Sequence, residues 1–121
     1  MSVVAARPWP TELRVRRAAR TMEVSFDDGA RFALSAEYLR VMTPSAEDRG
    51  HGSGPGRTVD GKKNVGIADV QAVGRYAARI IFDDGHDTGL YSWDELYRLG
   101  QAQDRLWAEH LGRLEREGLS R

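Results

Sequence analysis

A chain of 121 residues with 18 basic and 18 acidic side chains is sized for one domain, and its formal net charge of zero sets up no overall field toward nucleic acid or an anionic membrane. A hydrophobic content of 40% beside a charged content of 30% is that of a globular protein rather than a disordered or membrane one. The lack of cysteine excludes disulfides, thiol catalysis, iron–sulfur ligation and every thiolate zinc site, because each of these needs sulfur. No apolar run nears the roughly 20 residues of a membrane-crossing helix. The apolar opening, Met1 to Ala6, stops at Arg7 and Pro8, too short for a signal peptide, so the expected address is the cytoplasm.

Residues 1–9 read as a tail. Leu13-Arg14-Val15-Arg16 and Met22-Glu23-Val24-Ser25-Phe26 then alternate apolar with polar side chains, the period-two signature of strands with one buried face. Asp27-Asp28-Gly29 turns the chain into a third strand, Arg31-Phe32-Ala33-Leu34, and the hydroxyl of Ser35 caps a short helix through Leu39. From Thr43 to Lys63 the chain carries Pro44, Pro55 and five glycines between 50 and 61, and reads as a long surface loop. Loops longer than about 12–15 residues in a compact domain tend to carry function.

Strand character returns over residues 65–73 and again over 76–82, where Ile80, Ile81 and Phe82 mark a central strand. Asp83-Asp84-Gly85 makes a second turn, Leu90-Tyr91 closes that hairpin, and Ser92-Trp93-Asp94-Glu95 is a capping box opening a short helix to Leu99. Gly100 is expected to interrupt it. A longer helix from 101 to 117 then sets Leu106, Trp107, His110, Leu111 and Leu114 on one apolar face, with His110 as a partly buried structural histidine, and 118–121 form a tail.

The two turns belong to one repeated unit, since Phe26-Asp27-Asp28-Gly29 followed by Ser35 echoes Phe82-Asp83-Asp84-Gly85 followed by Ser92. Each copy is a strand, an Asp-Gly hairpin, a strand and a Ser-capped helix. The expected fold is therefore α+β, a small antiparallel or mixed sheet built from two such units over residues 10–117, with a C-terminal helix.

Several catalytic signatures fail on inspection. Gly56-Arg57-Thr58-Val59-Asp60-Gly61-Lys62 spells seven positions of a phosphate-binding loop, but Lys63 stands where a magnesium-binding hydroxyl is needed, and strand rather than helix follows. The alternating glycines at 50, 52, 54 and 56 lack dinucleotide-binding spacing. No histidine has Asp or Glu two residues on, as an iron-dependent oxygenase triad requires. Ser53 lacks the context of a hydrolase nucleophile.

Four stretches carry a family resemblance: Leu39-Arg40-Val41 with Pro44-Ser45-Ala46-Glu47, Gly50-His51-Gly52, Val73-Gly74 with Tyr76-Ala77, and Phe82-Asp83-Asp84-Gly85-His86-Asp87 with Gly89 and Tyr91-Ser92-Trp93. Between about Pro10 and Leu114 the chain resembles a bacterial family of stand-alone domains of unknown function, similar to the N-terminal domain of γ-butyrobetaine and trimethyllysine hydroxylases. The same domain type resembles one appended to P-loop ATPases that carry iron–sulfur clusters. In the hydroxylases a 2-oxoglutarate- and iron-dependent catalytic domain follows, and the N-terminal domain holds zinc through three cysteines and a histidine. The resemblance places those cysteines on Thr43, Ser45 and Asp48 and the histidine on His86, so a single original ligand type survives.

The resulting functional expectation is a non-catalytic binding or adaptor domain. Its footprint is the 43–63 loop beside the second hairpin, with Arg40, Ser45, Arg49, His51, Tyr91 and Trp93 as contact residues and with Arg57, Lys62 and Lys63 adding charge. Arginines and aromatics suit an unidentified protein partner or an acidic ligand, without membrane or nucleic acid. No cofactor is expected. The alternative is an accessory domain that binds zinc or iron through Asp48, His51 and His86 and serves a 2-oxoglutarate oxygenase or an iron–sulfur carrier. Lacking the oxygenase ligand spacing, this chain incubated with iron, ascorbate, 2-oxoglutarate and either γ-butyrobetaine or trimethyllysine should form no succinate above the blank, and succinate above it would refute the non-catalytic reading.

Overall fold

Each half of the chain repeats one local plan, strand, strand, hairpin strand and capped helix, and the halves share a core. The computed structural model describes residues 8–43, 58–87 and 89–121. Three strands, β1 (Pro10–Arg16), β2 (Thr21–Phe26) and β3 (Arg31–Ser35), pair antiparallel in that order and lead into α1 (Ala36–Val41). The second set, β4 (Ile67–Val73), β5 (Ala77–Phe82) and β6 (Gly89–Ser92), pairs the same way and leads into α2 (Trp93–Gln101). A last helix, α3 (Gln103–Glu117), completes the α+β fold. The small sheet expected from the sequence resolves into two three-stranded antiparallel sheets, with β5 central in the second. None of the helices among the described residues is long and apolar enough to cross a membrane.

Alternation in the sequence sets the buried face. Met22, Val24 and Phe26 of β2 and Ile80 and Phe82 of β5 are all buried, and together with Leu34, Leu39, Tyr91, Leu96 and Leu99 they form one cluster drawn from both halves. A three-stranded sheet needs packing on one face to be independently stable.

The repeat extends to individual hydrogen bonds. The glycine of each Asp-Asp-Gly turn adopts a left-handed φ, 91° at Gly29 and 92° at Gly85, which a residue with a Cβ would resist. Asp28 Oδ1 accepts from the Ala30 N–H at 2.9 Å, and Asp84 Oδ1 from the His86 N–H at 3.0 Å. Asp27 exchanges backbone and side-chain bonds with Trp9 just before β1, and Asp83 exchanges the same pair with Gly66 just before β4. Ser35 and Ser92 each accept from the N–H three residues on, at 3.0 Å. Even the register shifts match, both lying just inside the strand residue opposite Phe26 or Phe82.

Element bounds differ in places from the sequence expectation. Strand β1 starts at Pro10 rather than 13, β4 starts at Ile67 while Val65 packs into the core ahead of it, and α1 runs on to Val41. Gly100 does not interrupt the helix. α2 continues through it to Gln101, and the break comes at Ala102, whose φ of −98° leaves helical geometry without a side-chain cap for α3. What glycine provides at 100 is space, since a Cβ there would lie 2.3 Å from Cγ of Phe32.

Two opposed effects make this site diagnostic. Alanine for glycine inside a helix stabilises by roughly 1 kcal/mol, whereas overpacking a filled core costs about 1–3 kcal/mol. Phe32 is wedged edge-on against Phe26 and Tyr97, so its ring cannot retreat freely. Gly100→Ala should therefore lower the urea midpoint by a net loss of up to about 2 kcal/mol at unchanged m value, and a gain in stability would show that Phe32 moves aside without cost.

Candidate functional site

Each half reaches across to hold the other through its turn aspartate. Five residues after the capping serine, α2 presents Tyr97, whose hydroxyl donates to Asp28 Oδ2 at 2.6 Å, and α1 presents Arg40, whose Nε donates to Asp84 Oδ2 at 2.9 Å. The second clasp is more elaborate. Lys62 Nζ also donates to Asp84 Oδ2 at 2.6 Å, and beneath it the Thr43 hydroxyl lies 3.2 Å from His86 Nε2, both residues buried. Burial works against the Asp84 charge, but the Lys62 bond, the His86 N–H and Arg40 together outweigh it and hold the carboxyl down at about 2.

These contacts decide where the predicted contact residues sit. Arg40 is only 6% exposed and is committed to Asp84, so its guanidinium is part of the fold's internal wiring rather than of an open surface. Tyr91 is fully buried, and its hydroxyl donates to the Leu39 carbonyl at the end of α1. Of the contact residues among the described ones, Trp93 alone is partly exposed. Ser45, Asp48, Arg49, His51 and Arg57 lie outside the described residues. Lys62 is drawn into the Asp84 pair, while Lys63 is exposed. The expected surface loop also changes character at its far end, where Thr58 and Val59 are buried and the Thr58 hydroxyl sits between Arg113 and Glu117 of α3.

Around Trp93 the structure assembles a groove of about 220 Å³ walled by Pro8, Trp9, Tyr76 and Trp93, with Ser92 and Asp94 at its end. The rings of Trp9 and Trp93 meet edge to face at 6.5 Å. Both are anchored by their backbones, Trp9 through the exchange with Asp27 and Trp93 through its N–H to the Tyr76 carbonyl at 2.9 Å, and the Trp93 indole N–H donates to Arg75 O at 2.8 Å. Tyr76 is 73% exposed and Trp9 48%. Sequence reading missed both, placing Trp9 in a tail and Tyr76 at the head of a strand. The available signal was an aromatic directly after the Gly74-Arg75 turn.

The donor set offered for a zinc ion does not fit in its described half. Thr43 gives a neutral hydroxyl, and His86 offers an imidazole whose Nε2 is already engaged by that hydroxyl. Tetrahedral zinc sites need thiolate, imidazole or carboxylate donors. Among the described residues no group of three or more His, Cys, Asp or Glu side chains is placed to hold a metal ion.

Comparison with known proteins follows the same lines. A family model described as gamma-butyrobetaine hydroxylase-like, N-terminal, matches residues 13–97. Two proteins with solution NMR structures are similar over nearly the whole chain, one at 48% identity with a TM-score of 0.83, covering 100% of this chain and 90% of its own, and one at 40% with a TM-score of 0.84, covering 96% and 91%. A crystal structure of a protein of unknown function from Acidithiobacillus ferrooxidans, of the DUF971 family, is 38% identical with a TM-score of 0.64, covering 75% of this chain and 91% of its own. No curated protein matches the sequence.

Because the folded Asp84 carboxyl lies below its unfolded value, the clasp contributes stability that is complete above the unfolded pKa of about 3.9 and is lost as pH falls through about 2. Asp84→Asn should thus lower the melting temperature at pH 7, by the equivalent of about 1–3 kcal/mol for a broken, partly buried charge-assisted pair, with the gap to wild type closing between pH 4 and pH 2. Equal melting temperatures at pH 7 would show that the clasp contributes nothing.

Proposed function

Since the chain belongs to the gamma-butyrobetaine hydroxylase-like N-terminal family, we propose that it is a non-catalytic protein-binding module that docks its partner in the groove between Trp9, Tyr76 and Trp93. The supporting observation is the exposure of Tyr76 and Trp9 around one concavity, with Trp93 as its floor. Large aromatics left open to water in a concave setting are costly to maintain, and such rings dominate interface energetics where they occur. The walls are mainly apolar, which suits an apolar side chain of a protein partner better than an acidic ligand. Trp9 and Trp93 are held by backbone bonds from both halves, so the groove is formed before a partner arrives and binding loses little entropy. In this reading the domain acts in the cytoplasm, without a resident metal.

The test uses the intact chain with a photo-crosslinking phenylalanine analogue in place of Tyr76, followed by identification of the crosslinked protein from the native cell. That same protein should be lost on pull-down with a Trp9→Ala, Tyr76→Ala double variant, whose melting temperature should stay within a few degrees of wild type because both rings are exposed. Retention of every captured partner by the folded double variant would place the interface elsewhere.

A further inference from the structure

On another face, α1 and α3 meet over a second aromatic and acidic pair. Glu37, in the first turn of α1, keeps only 7% of its side chain exposed. Its two oxygens accept from Arg121, Nη2 to Oε1 at 2.8 Å and Nε to Oε2 at 3.1 Å, the parallel two-bond geometry of a guanidinium on a carboxylate. The guanidinium carbon also lies 5.6 Å from the Trp107 ring centroid, within cation–π range. Trp107 is itself fixed edge-on to Tyr38 at 6.2 Å, and the Tyr38 hydroxyl is tied to the Leu99 carbonyl at 2.7 Å.

We propose that Glu37 and Trp107 form a guanidinium-recognition site, filled by the chain's own Arg121 and able to take an arginine side chain from a partner protein in exchange. The pocket selects that chemistry on three counts. A planar fork satisfies both Glu37 oxygens at once, where a lysine ammonium would act as a point charge. The Trp107 face rewards a delocalised cation. A carboxylate so nearly buried is costly without a counter-charge, so the exchange of one guanidinium for another is the inexpensive way to vacate the site.

The occupant is also placed to leave. Arg121 lies beyond the helix end at Gly118, outside regular structure, with 46% of its side chain exposed. Backbone bonds from Leu119 to Leu114 and from Gly61 to Ser120 bring it to the site without enclosing it. A cavity of about 350 Å³ opens beside it, bounded by Gln103 and Asp104 as well as Glu37, Tyr38 and Trp107, which leaves room for an incoming side chain and adds a second carboxylate at the rim. With Arg121 in place, burial, assisted by Arg113 and Arg121 against the pull of Glu37, holds the nearby His110 imidazole below the usual value.

The experiment is an NMR titration of the full chain with acetyl-arginine methylamide, following the indole N–H of Trp107. Arg121→Ala should bind it saturably and about tenfold more tightly than wild type, about fivefold more tightly than the lysine analogue, and binding should vanish in a Glu37→Gln, Arg121→Ala double variant. Free arginine in a parallel arm separates a metabolite from a partner's side chain, because a site made for a protein favours the blocked backbone. Should Arg121→Ala not fold, wild type at high ligand concentration supplies the same readout through movement of the Trp107 and 119–121 resonances. Absence of any saturable shift in both proteins, or equal binding after the loss of Glu37, overturns the proposal.

Discussion

The reciprocal grip of two turn aspartates on the opposite helix is the constraint on which the rest of the molecule depends. Each half offers a three-stranded sheet whose apolar face joins one shared core, and each sends its Asp-Gly hairpin to the helix of the other. The turn geometry that lets Gly29 and Gly85 take positive φ also leaves one carboxylate oxygen of Asp28 and Asp84 free of the turn, pointing outward. That spare oxygen is the connector. Tyr97 and Arg40, at matching helix positions, complete it, and the shared core of Met22, Phe26, Ile80 and Phe82 closes between them.

A duplicated plan with unequal fillings explains where polar chemistry collects. The Asp28–Tyr97 clasp is exposed and neutral on the helix side, and the Tyr97 phenol is pushed up by the carboxylate it serves. The Asp84–Arg40 clasp is charged and partly buried, and brings Lys62 in as well. Eight residues after each capping serine, the two halves make opposite use of one close approach. Gly100 receives the Phe32 ring of the first hairpin, while Thr43 brings its hydroxyl against Gly89 of the second. A ring on a glycine fills the contact by volume, and a hydroxyl beside a glycine leaves it polar. His86 completes that polar side.

Much of this was legible in the sequence wherever the cause was local. Strand alternation, two Asp-Asp-Gly turns and two capping serines follow from residues within four positions of one another, and the structure has them at those places. Gly100 was misread because propensity sees a helix-weakening residue, whereas the deciding partner, Phe32, is far away in the chain. The burial of Arg40 and Tyr91 was not legible for a related reason. A charged or hydroxylated side chain near a loop reads as exposed, and only the fold shows that Asp84 and the Leu39 carbonyl wait inside for them. The aromatic groove needed three segments, around positions 9, 76 and 93, to converge, and no window of sequence contains that fact.

The two described positions that the resemblance pairs with zinc ligands and the second clasp fall on the same joint. The resemblance sets Thr43 and His86 at positions that ligate zinc in the related hydroxylase domain. In this chain the segment after α1 and the second hairpin are joined by the Thr43–His86 contact and, one helical turn earlier, by Arg40 on Asp84. Hydrogen bonds of this kind are individually weak, about 1–3 kcal/mol when charge-assisted, against the ten or more that a structural zinc can supply. Burial compensates in part, because Arg40, Thr43 and His86 are all less than a tenth exposed and their bonds face little competition from water. The joint is thus built from polar side chains that function only when the surrounding core is closed, which makes it a consequence of folding where a metal site would be a cause.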